Sequence, residues 1–321
     1  MGLTSPNEVD AAVAELQQAT ARGDLDQADW LLEPLTRDEQ ALPTSACKPS
    51  AYVHLRRRRW TQARQALADL PQPDLTDELK LNLARNLEAM QQHRPRVYQV
   101  LAAARQSARY QLTPTRTGHL TIVHQRADGG KVCLTPGGDP VAAMRQMLNQ
   151  VSPLIASGTA LGLSGIGDGN LIQHLAANPP KLLLGMQQTI HLFEPDAELV
   201  LACLMLHDYT GPTGPIEQPR IHWHVGAAFD QMFHRCIFDD LYVPLPAKYI
   251  QQTIEPQVID DKVGIVVGAY RDLNDKYRSQ VNEHYRQVTR EDFEALFSDD
   301  PPRQPRVLLL TSRFTTVLQY A

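Results

Sequence analysis

The chain has 321 residues, of which 43% are hydrophobic and 21% charged, a composition typical of a globular protein. Its formal net charge is −5, and without a basic excess it is not expected to bind nucleic acid, which requires clustered Lys and Arg. No apolar run reaches the length of about 18 residues that a membrane span needs. The N-terminus has no basic start like that of a signal peptide, and the four cysteines are scattered. The sequence therefore predicts a cytoplasmic protein with reduced thiols.

Residues 1–106 are predicted to form a helical domain, because apolar positions recur every three or four residues between segments that end at Pro or Gly. A weak internal repeat has a period of about 34 residues, which is typical of tetratricopeptide helix pairs that stack to bury their apolar faces. A plain helical bundle is the alternative. The repeat is preferred and predicts an arm that docks a protein partner. Its equivalent positions are Ala28, Leu31 and Leu32, then Ala63, Ala66 and Leu67, then Val97, Val100 and Leu101.

A basic run, Arg56–Arg59, falls at the turn of a predicted helical hairpin, directly before Trp60. Such runs are usually solvated faces, and binding of a partner is the less frequent alternative. The run is short and local, so it does not alter the expectation that nucleic acid is not a ligand.

Residues 107–152 are predicted to form a β-hairpin and a helix that lead into the second domain. Residues 119–124 and 131–135 alternate and are rich in β-branched residues, with Asp128-Gly129-Gly130 as the turn between them. Asp139 and Pro140 then match the N-cap and first turn of a helix that is expected to end near Val151.

Residues 153–300 are predicted to form a Rossmann-like domain with a mainly parallel sheet. Short apolar strands alternate with helices, and this alternation implies right-handed crossovers between parallel strands. The expected fold class is therefore α/β: a helical-repeat N-terminal arm followed by a Rossmann-like, methyltransferase-like sheet domain. The predicted strands are 160–163, 189–193 and 220–226, and the predicted helices are 170–177 and 197–206.

The glycine-rich loop after the first of these strands is the candidate nucleotide-binding corner. Glycines permit a sharp strand-to-helix turn and close approach of a ligand, and the next helix offers N–H groups at its N-terminus. Glu194 ends the following strand, where an acid in dinucleotide and adenosyl cofactor sites accepts hydrogen bonds from ribose hydroxyls. Asp196 is instead expected to cap the helix that begins at Ala197. The predicted cofactor-binding residues are Gly162, Gly165, Gly167, Asp168, Gly169 and Glu194.

Two departures argue against methyl transfer at this corner. Leu163 stands two residues before Gly165, where methyltransferases that bind S-adenosylmethionine usually carry an acid. After the third strand, Gly226-Ala227-Ala228 does not supply the acid that often contacts the adenine. A Rossmann-like layer that keeps the turn for packing alone is a further alternative.

Histidines in the third strand raise the question of a metal site. His222 and His224 are two residues apart, so their side chains point to one face, and His234 or Cys236 would have to complete the ligand set. Because no carboxylate or cysteine pair follows at a recognisable spacing, a structural role is preferred and no metal is predicted.

Other polar and aromatic residues give no catalytic assignment. Ser164 is one residue short of the Gly-x-Ser-x-Gly spacing of a nucleophile elbow, which disfavours hydrolase chemistry. Asp239 and Asp240 are interpreted as a helix cap or solvated turn. The tyrosines and apolar residues of 262–296 have helical spacing and are interpreted as a packing stripe. No catalytic residue is assigned.

An ordered set of motifs consists of Asp128-Gly129, Asp139-Pro140 with Ala142-Ala143, Gly162–Gly169, Phe193-Glu194-Pro195-Asp196, and Arg220-Ile221 through Val225-Gly226. Together they resemble the Rossmann-like region of the motility-associated-factor glycosyltransferases, which modify flagellins with nonulosonic acids. The resemblance covers about residues 115–250. It implies a role in protein or cell-surface glycosylation, with a nucleotide or nucleotide-sugar held at the glycine loop.

Residues 301–321 are predicted to be a linker and the start of a further domain. The apolar segment 306–310 resembles the opening strand of a GT-B glycosyltransferase domain, and the alternative is a last strand of the present sheet. The preferred function is thus that of an N-terminal portion of a glycosyltransferase-type protein. An S-adenosylmethionine-dependent methyltransferase and a non-enzymatic scaffold with a vestigial Rossmann domain are the alternatives. The ligand is left open between a nucleotide-sugar and S-adenosylmethionine.

Overall fold

The computed structural model of the chain describes residues 6–36, 42–104, 109–157, 160–179, 188–226, 248–251, 308–310 and 317–319. The described residues form a mixed α/β structure with antiparallel and parallel sheets. They cluster into two compact units. The first comprises residues 1–143, 168–178 and 197–219, and the second comprises residues 144–167, 179–196 and 220–321.

The N-terminal helices of the first unit bury one apolar stripe each, as their sequence periodicity predicts. Their main core cluster includes Leu16, Leu31, Leu32 and Val53. The predicted repeat positions fall in the second, fourth and sixth helices, and all of them except Val100 are buried. The helices are α1 (Pro6–Arg22), α2 (Leu25–Thr36), α3 (Thr44–Arg56), α4 (Trp60–Ala68), α5 (Leu75–His93) and α6 (Pro95–Ala103).

The basic run at the turn from α3 to α4 is partly used to join this turn to α2. Arg57 pairs with Asp26 on α2, and the guanidinium of Arg59 binds Asp29 through two contacts of 2.5 and 2.7 Å. Arg58 adopts a left-handed backbone conformation with φ +58°. Two of the four arginines therefore connect helices of the same unit.

An antiparallel sheet follows the helices, with strand order β1-β2-β3. The predicted hairpin between β2 and β3 is confirmed: Gly129 has φ +82°, and the Asp128 carboxylate accepts the Gly130 N–H at 2.8 Å. The first strand was not predicted. It ends at a proline and lacks regular alternation. The strands are β1 (Tyr110–Pro114), β2 (Leu120–Gln125) and β3 (Lys131–Cys133).

The helix predicted to begin at Pro140 is confirmed as α7 (Pro140–Ser157). Asp139 caps it, because its carboxylate accepts the N–H groups of Val141 at 2.9 Å and of Ala142 at 3.2 Å. The helix continues beyond Val151, where the sequence was expected to end it, and includes Pro153.

A loop within the first unit follows α9 (Ala197–Leu206) and is held by α5. The fully buried amide of Asn86 donates to the carbonyls of Leu204 at 2.7 Å and His207 at 2.6 Å. The same amide accepts the N–H of Tyr209 at 2.8 Å. One side chain thus satisfies a carbonyl in the last turn of α9 and two backbone groups of the loop that follows it.

Arg94, the residue directly before α6, binds the later part of this loop. Arg94 donates from its guanidinium to the carbonyl of Ile216 at 3.0 Å and to that of Gln218 at 2.6 Å. Because these carbonyls belong to irregular backbone, they need side-chain donors to replace the hydrogen bonds of regular structure.

The second unit contains a parallel sheet with strand order β6-β5-β4-β7. One face is apolar and carries Leu161, Leu163, Ile190, Leu192, Ile221 and Trp223. In register on the other face lie Gly162, His191 and His222, and next to them Ser164, Phe193 and His224. The strands are β4 (Ala160–Ser164), β5 (Thr189–Glu194), β6 (Ile221–Val225) and β7 (Lys248–Gln251); α8 (Asn170–Ala177) follows β4 in sequence.

A separate antiparallel pair is formed by β8 (Leu308–Leu310) and β9 (Val317–Gln319). Residues 308–310 of the apolar segment predicted at 306–310 form a strand, and its described partner is β9 rather than a strand of the parallel sheet. The interpretations of His234, Cys236, Asp239 and Asp240, and of residues 262–296, fall outside the described residues.

Candidate functional site

The glycine loop of the second unit begins where β4 ends. Gly165 has φ +93° and Gly167 has φ +61°, conformations that residues with a Cβ rarely adopt. The Gly165 N–H donates to the carbonyl of Phe193 on the neighbouring strand at 2.8 Å. The loop is therefore anchored to the carboxyl end of β5 while its glycines allow the chain to turn sharply.

Glu194, the predicted ribose-binding acid, is buried at the end of β5 with 4% of its surface exposed. Its carboxylate accepts the N–H of Ile166 in the glycine loop at 2.9 Å and the N–H of Asp196 at 2.8 Å. Burial raises the pKa of this carboxyl to about 7, although both backbone hydrogen bonds act to lower it. The structure thus brings Glu194 together with the loop, and near neutral pH the group exchanges between its charged and neutral forms.

Ser164 is the residue of this corner whose role the sequence did not reveal. Its side chain is 3% exposed, and its hydroxyl has no hydrogen-bond partner in the described part of the chain. Buried hydroxyls are nearly always paired, so the Ser164 hydroxyl is an exception to this rule beside the glycine loop. The sequence pattern bears on Ser164 only as a possible nucleophile.

Asp168 and Gly169 belong to the first unit, unlike the other predicted site residues. The Asp168 carboxylate accepts the hydroxyl of Thr135 at 3.1 Å and the N–H of Asn170 at 3.1 Å. The backbone carbonyl of Asp168 accepts from Nε2 of His207 at 2.7 Å. These contacts give Asp168 a role in ordering the start of α8 within the first unit.

Gly169 occurs where a larger residue has no space. A Cβ at this position would collide with the hydroxyl of Tyr209 and would lie 2.8 Å from the ring of His207. That hydroxyl donates to the carbonyl of Gly169 at 2.8 Å, and burial raises the pKa of Tyr209 well above its ordinary value. Gly169 is therefore required by packing, with φ +82°.

Three histidines meet on the polar face of the parallel sheet. His191 Nδ1 lies 3.2 Å from His224 Nε2, and the rings of His191 and His222 stack with centroids 4.5 Å apart. Burial lowers the pKa of His224 to about 4 and holds that of His191 well below its ordinary value. Within the described ranges, no group of three or more His, Cys, Asp or Glu side chains is arranged to hold a metal ion.

The six predicted site residues thus divide between the units: Gly162, Gly165, Gly167 and Glu194 in the second, Asp168 and Gly169 in the first.

No protein-family model, curated protein or solved structure matches this chain. Among the described helices, none combines the length and apolar character needed to cross a bilayer. The kind of ligand that this site could bind therefore follows from the glycine loop, Ser164 and Glu194 themselves.

Proposed function

We propose that the second unit is a Rossmann-like domain that binds a nucleotide or nucleotide-sugar at the loop Gly165–Gly167, in the N-terminal portion of a glycosyltransferase-type protein. The observation that carries this proposal is the strand order. The sheet runs β5 and then β6 on one side of β4, and β7 on the other, so the direction of strand addition reverses at β4. In parallel α/β sheets, ligands bind outside the carboxyl ends of the strands at such a reversal. The glycine loop begins at that end of β4.

Polar groups at this edge support a ligand with hydroxyl and phosphate groups. The Ser164 hydroxyl would donate to a phosphate or sugar oxygen, which would satisfy its unpaired buried position. The carboxyl of Glu194 already accepts two backbone N–H groups, and each carboxylate oxygen retains capacity for a further donor such as a ribose hydroxyl. Binding at Glu194 would therefore add to its loop-holding contacts.

The glycosylation context and the helical arm complete the proposal. The ordered motifs that resemble the motility-associated-factor glycosyltransferases support a sugar nucleotide over other nucleotides. Burial of equivalent positions in α2, α4 and α6 supports a stack of helix pairs of the tetratricopeptide type. Such an arm would dock a protein partner, for example the protein to be modified.

S-adenosylmethionine is the second candidate ligand, favoured by an acid at the end of β5. In adenosyl sites that acid accepts the ribose hydroxyls, as proposed here for Glu194. Leu163 argues against this candidate, because it is fully buried in the apolar face where a cofactor-binding acid would be expected.

A thermal-shift experiment with the full chain separates these functions. The ligands are CMP, UDP and GDP on one side and S-adenosylmethionine and S-adenosylhomocysteine on the other. The proposal predicts stabilisation by at least one nucleoside phosphate, because a ligand that binds only the folded state raises the melting temperature. Stabilisation by the adenosyl compounds alone would instead identify a methyltransferase site. No shift with any compound would favour a scaffold.

Two serine variants provide a matched control. Ser164→Ala removes a hydroxyl that makes no hydrogen bond in the described chain, so it should leave the ligand-free melting temperature nearly unchanged while weakening the nucleotide shift. Ser50→Ala removes another buried, unpaired hydroxyl, on α3, and should leave the nucleotide shift intact. Equal shifts in both variants would place the ligand away from Ser164.

A further inference from the structure

Two of the four consecutive arginines at the turn from α3 to α4 are used within the fold. Arg57 pairs with Asp26, Arg59 pairs with Asp29, and both acids belong to α2. Asp29 stays ionised in this contact, because the hydrogen bond from Arg59 lowers its pKa. The turn that carries the other two arginines is therefore held against a neighbouring helix.

The other two arginines, Arg56 and Arg58, carry positive charge that the fold does not use. Both are exposed, and within the described ranges neither forms an ion pair. They are separated by one residue, so their Cα atoms lie at most about 7 Å apart. Since each of the paired arginines is matched by one carboxylate, the turn keeps two positive charges close together.

An aromatic ring orders the side chain of Arg56. Its guanidinium carbon lies over the ring of Tyr52, 6.0 Å from the ring centroid, and Tyr52 is one helical turn earlier on α3. Such cation–π packing engages the flat face of the guanidinium and leaves the N–H groups at its edge for other acceptors. A guanidinium of this kind binds a carboxylate through two parallel hydrogen bonds. Because Arg56 is already ordered, binding costs less side-chain entropy.

Arg58 occupies a backbone conformation that favours glycine. Its φ of +58° lies in the left-handed region, which is unfavourable for a residue with a Cβ. In the part of the chain that the structure describes, its side chain makes no hydrogen bond or ion pair that would offset this cost. Backbone strain of this kind is concentrated at functional positions, where ligand contacts of the side chain offset it.

We propose that Arg56 and Arg58 bind two carboxylates of an acidic segment in a partner protein. The inference rests on the proposed docking role of the helical arm and names the chemistry of the segment that the arm recognises. Two adjacent positive charges match a short segment with two carboxylates. A long polyanion such as nucleic acid fits less well, because the formal net charge of the chain is −5 and Asp26, paired with the intervening Arg57, is 93% exposed.

The test is a fluorescence anisotropy titration in which the full chain is added to a labelled tetraglutamate peptide with blocked termini. We expect saturable binding at neutral pH that weakens as salt is added, because the contacts are exposed ion pairs. Tetraglutamine with the same label is the neutral analogue and should give no saturable binding. A labelled thymidine oligonucleotide represents the long polyanion, and it should bind more weakly than tetraglutamate.

Variants with equal charge change locate the binding. Arg56→Gln together with Arg58→Gln should weaken tetraglutamate binding about tenfold, because two guanidinium–carboxylate pairs are lost, and each single substitution should weaken it about threefold. Arg96→Gln together with Arg116→Gln removes two exposed arginines elsewhere in the same unit. This control should change the affinity by less than about twofold, because salt screens charges distant from the peptide.

Several results would overturn the proposal. They are the absence of saturable tetraglutamate binding, equal binding of tetraglutamine, tighter binding of the oligonucleotide, wild-type affinity in either single variant, and equal weakening in the two double variants. The titration contains no nucleotide, so such a failure would reject the arginine pair and leave the nucleotide thermal shifts unaffected. The absence of those shifts would likewise leave the binding of tetraglutamate unaffected.

Discussion

Glu194 combines a structural and a proposed ligand-binding role in one carboxyl group. The carboxylate accepts the Ile166 N–H, which holds the glycine loop, and the Asp196 N–H, which orders the turn after β5. Burial of the carboxyl favours its protonated form. The folded-state pKa of about 7 lies above the ordinary value of 4.5. The neutral acid therefore stabilises the fold below pH 4.5, and this contribution is lost as the pH rises through 7.

The stability of Glu194→Gln relative to the wild type should accordingly improve with rising pH. Across the window from pH 4.5 to 7 the wild type is expected to lose about 3 kcal/mol that the variant, which cannot ionise, does not lose. Urea unfolding at several pH values measures the difference. Glu15→Gln, at an exposed position, should show no such trend, and a constant difference for Glu194→Gln would contradict the raised pKa.

A comparison of alanine variants at Gly169 and Gly118 separates the cost of backbone strain from the cost of a steric collision. Gly169 and Gly118 share φ +82°, but a Cβ at Gly118 meets no atom within 4 Å, whereas at Gly169 it meets Tyr209 and His207. Gly118→Ala should therefore cost about 1 kcal/mol of unfolding free energy, and Gly169→Ala about 3 kcal/mol or more. Denaturant unfolding gives both values. Similar costs would show that Tyr209 moves aside freely.

The turn from α3 to α4 contains Arg58, whose left-handed backbone conformation is unfavourable for a residue with a Cβ. Arg58 has φ +58°, which costs a residue with a Cβ about 1 kcal/mol or more, and its side chain is exposed. Arg58→Gly should stabilise the chain by about 0.5 kcal/mol. Glycine relieves the backbone strain, but it also increases the conformational entropy of the unfolded chain, which offsets part of the gain. Thermal unfolding of Arg58→Gly and Arg58→Ala checks this: a gain in the alanine variant as well would point to charge repulsion within the arginine run.

Elements with a strong local pattern could be predicted from the sequence. The helices α8 and α9 span the residues that their apolar spacing predicts, and β5 follows a largely apolar segment that contains His191. The strand β7 was not predicted, because its four residues, which begin with a lysine, show no clear alternation of apolar and polar side chains. It is defined by its pairing with the parallel strand β4. Short strands of this kind are defined by tertiary pairing rather than by local sequence.

The corner itself could be predicted only in part. Glycines with positive φ follow from the steric freedom of that residue, and an acid at a strand end is readable in the sequence. The bond from the Ile166 N–H to Glu194 depends on the register between β4 and β5, which the sequence does not specify. The unpaired hydroxyl of Ser164 depends on the same register, since its neighbour across the strands is Phe193.

For the whole chain, His191 and His224 of the parallel sheet set a lower limit to the pH range of stability. The neutral forms of His191 and His224 are favoured in the folded state, whereas the unfolded chain binds protons near pH 6.5. Their stabilisation is present above pH 6.5 and is lost as the pH falls towards 4. This trend is opposite in sign to that of Glu194.

The wild type should lose free energy of unfolding between pH 7 and pH 5, because the folded state disfavours protonation of His224. In His224→Gln this loss should be smaller by about 2 kcal/mol, because the glutamine cannot be protonated. His93→Gln removes a histidine from the exposed end of α5 and should leave the loss unchanged. Guanidinium unfolding at both pH values provides the comparison. An equal loss in the wild type and in both variants would mean that the histidine cluster is already open to water.

The manner in which α5 and α6 hold the loop after α9 affects how this protein can change over evolution. Asn86 and Arg94 bind that loop through its backbone, at the carbonyls of Leu204, His207, Ile216 and Gln218 and the N–H of Tyr209. Backbone groups are present whatever side chains the loop carries, so these five hydrogen bonds by themselves restrict no side chain of the loop. Selection should instead preserve the two residues that reach it. Divergent descendants of this fold would then be recognised by an asparagine and an arginine eight positions apart, spanning the end of one helix and the start of the next.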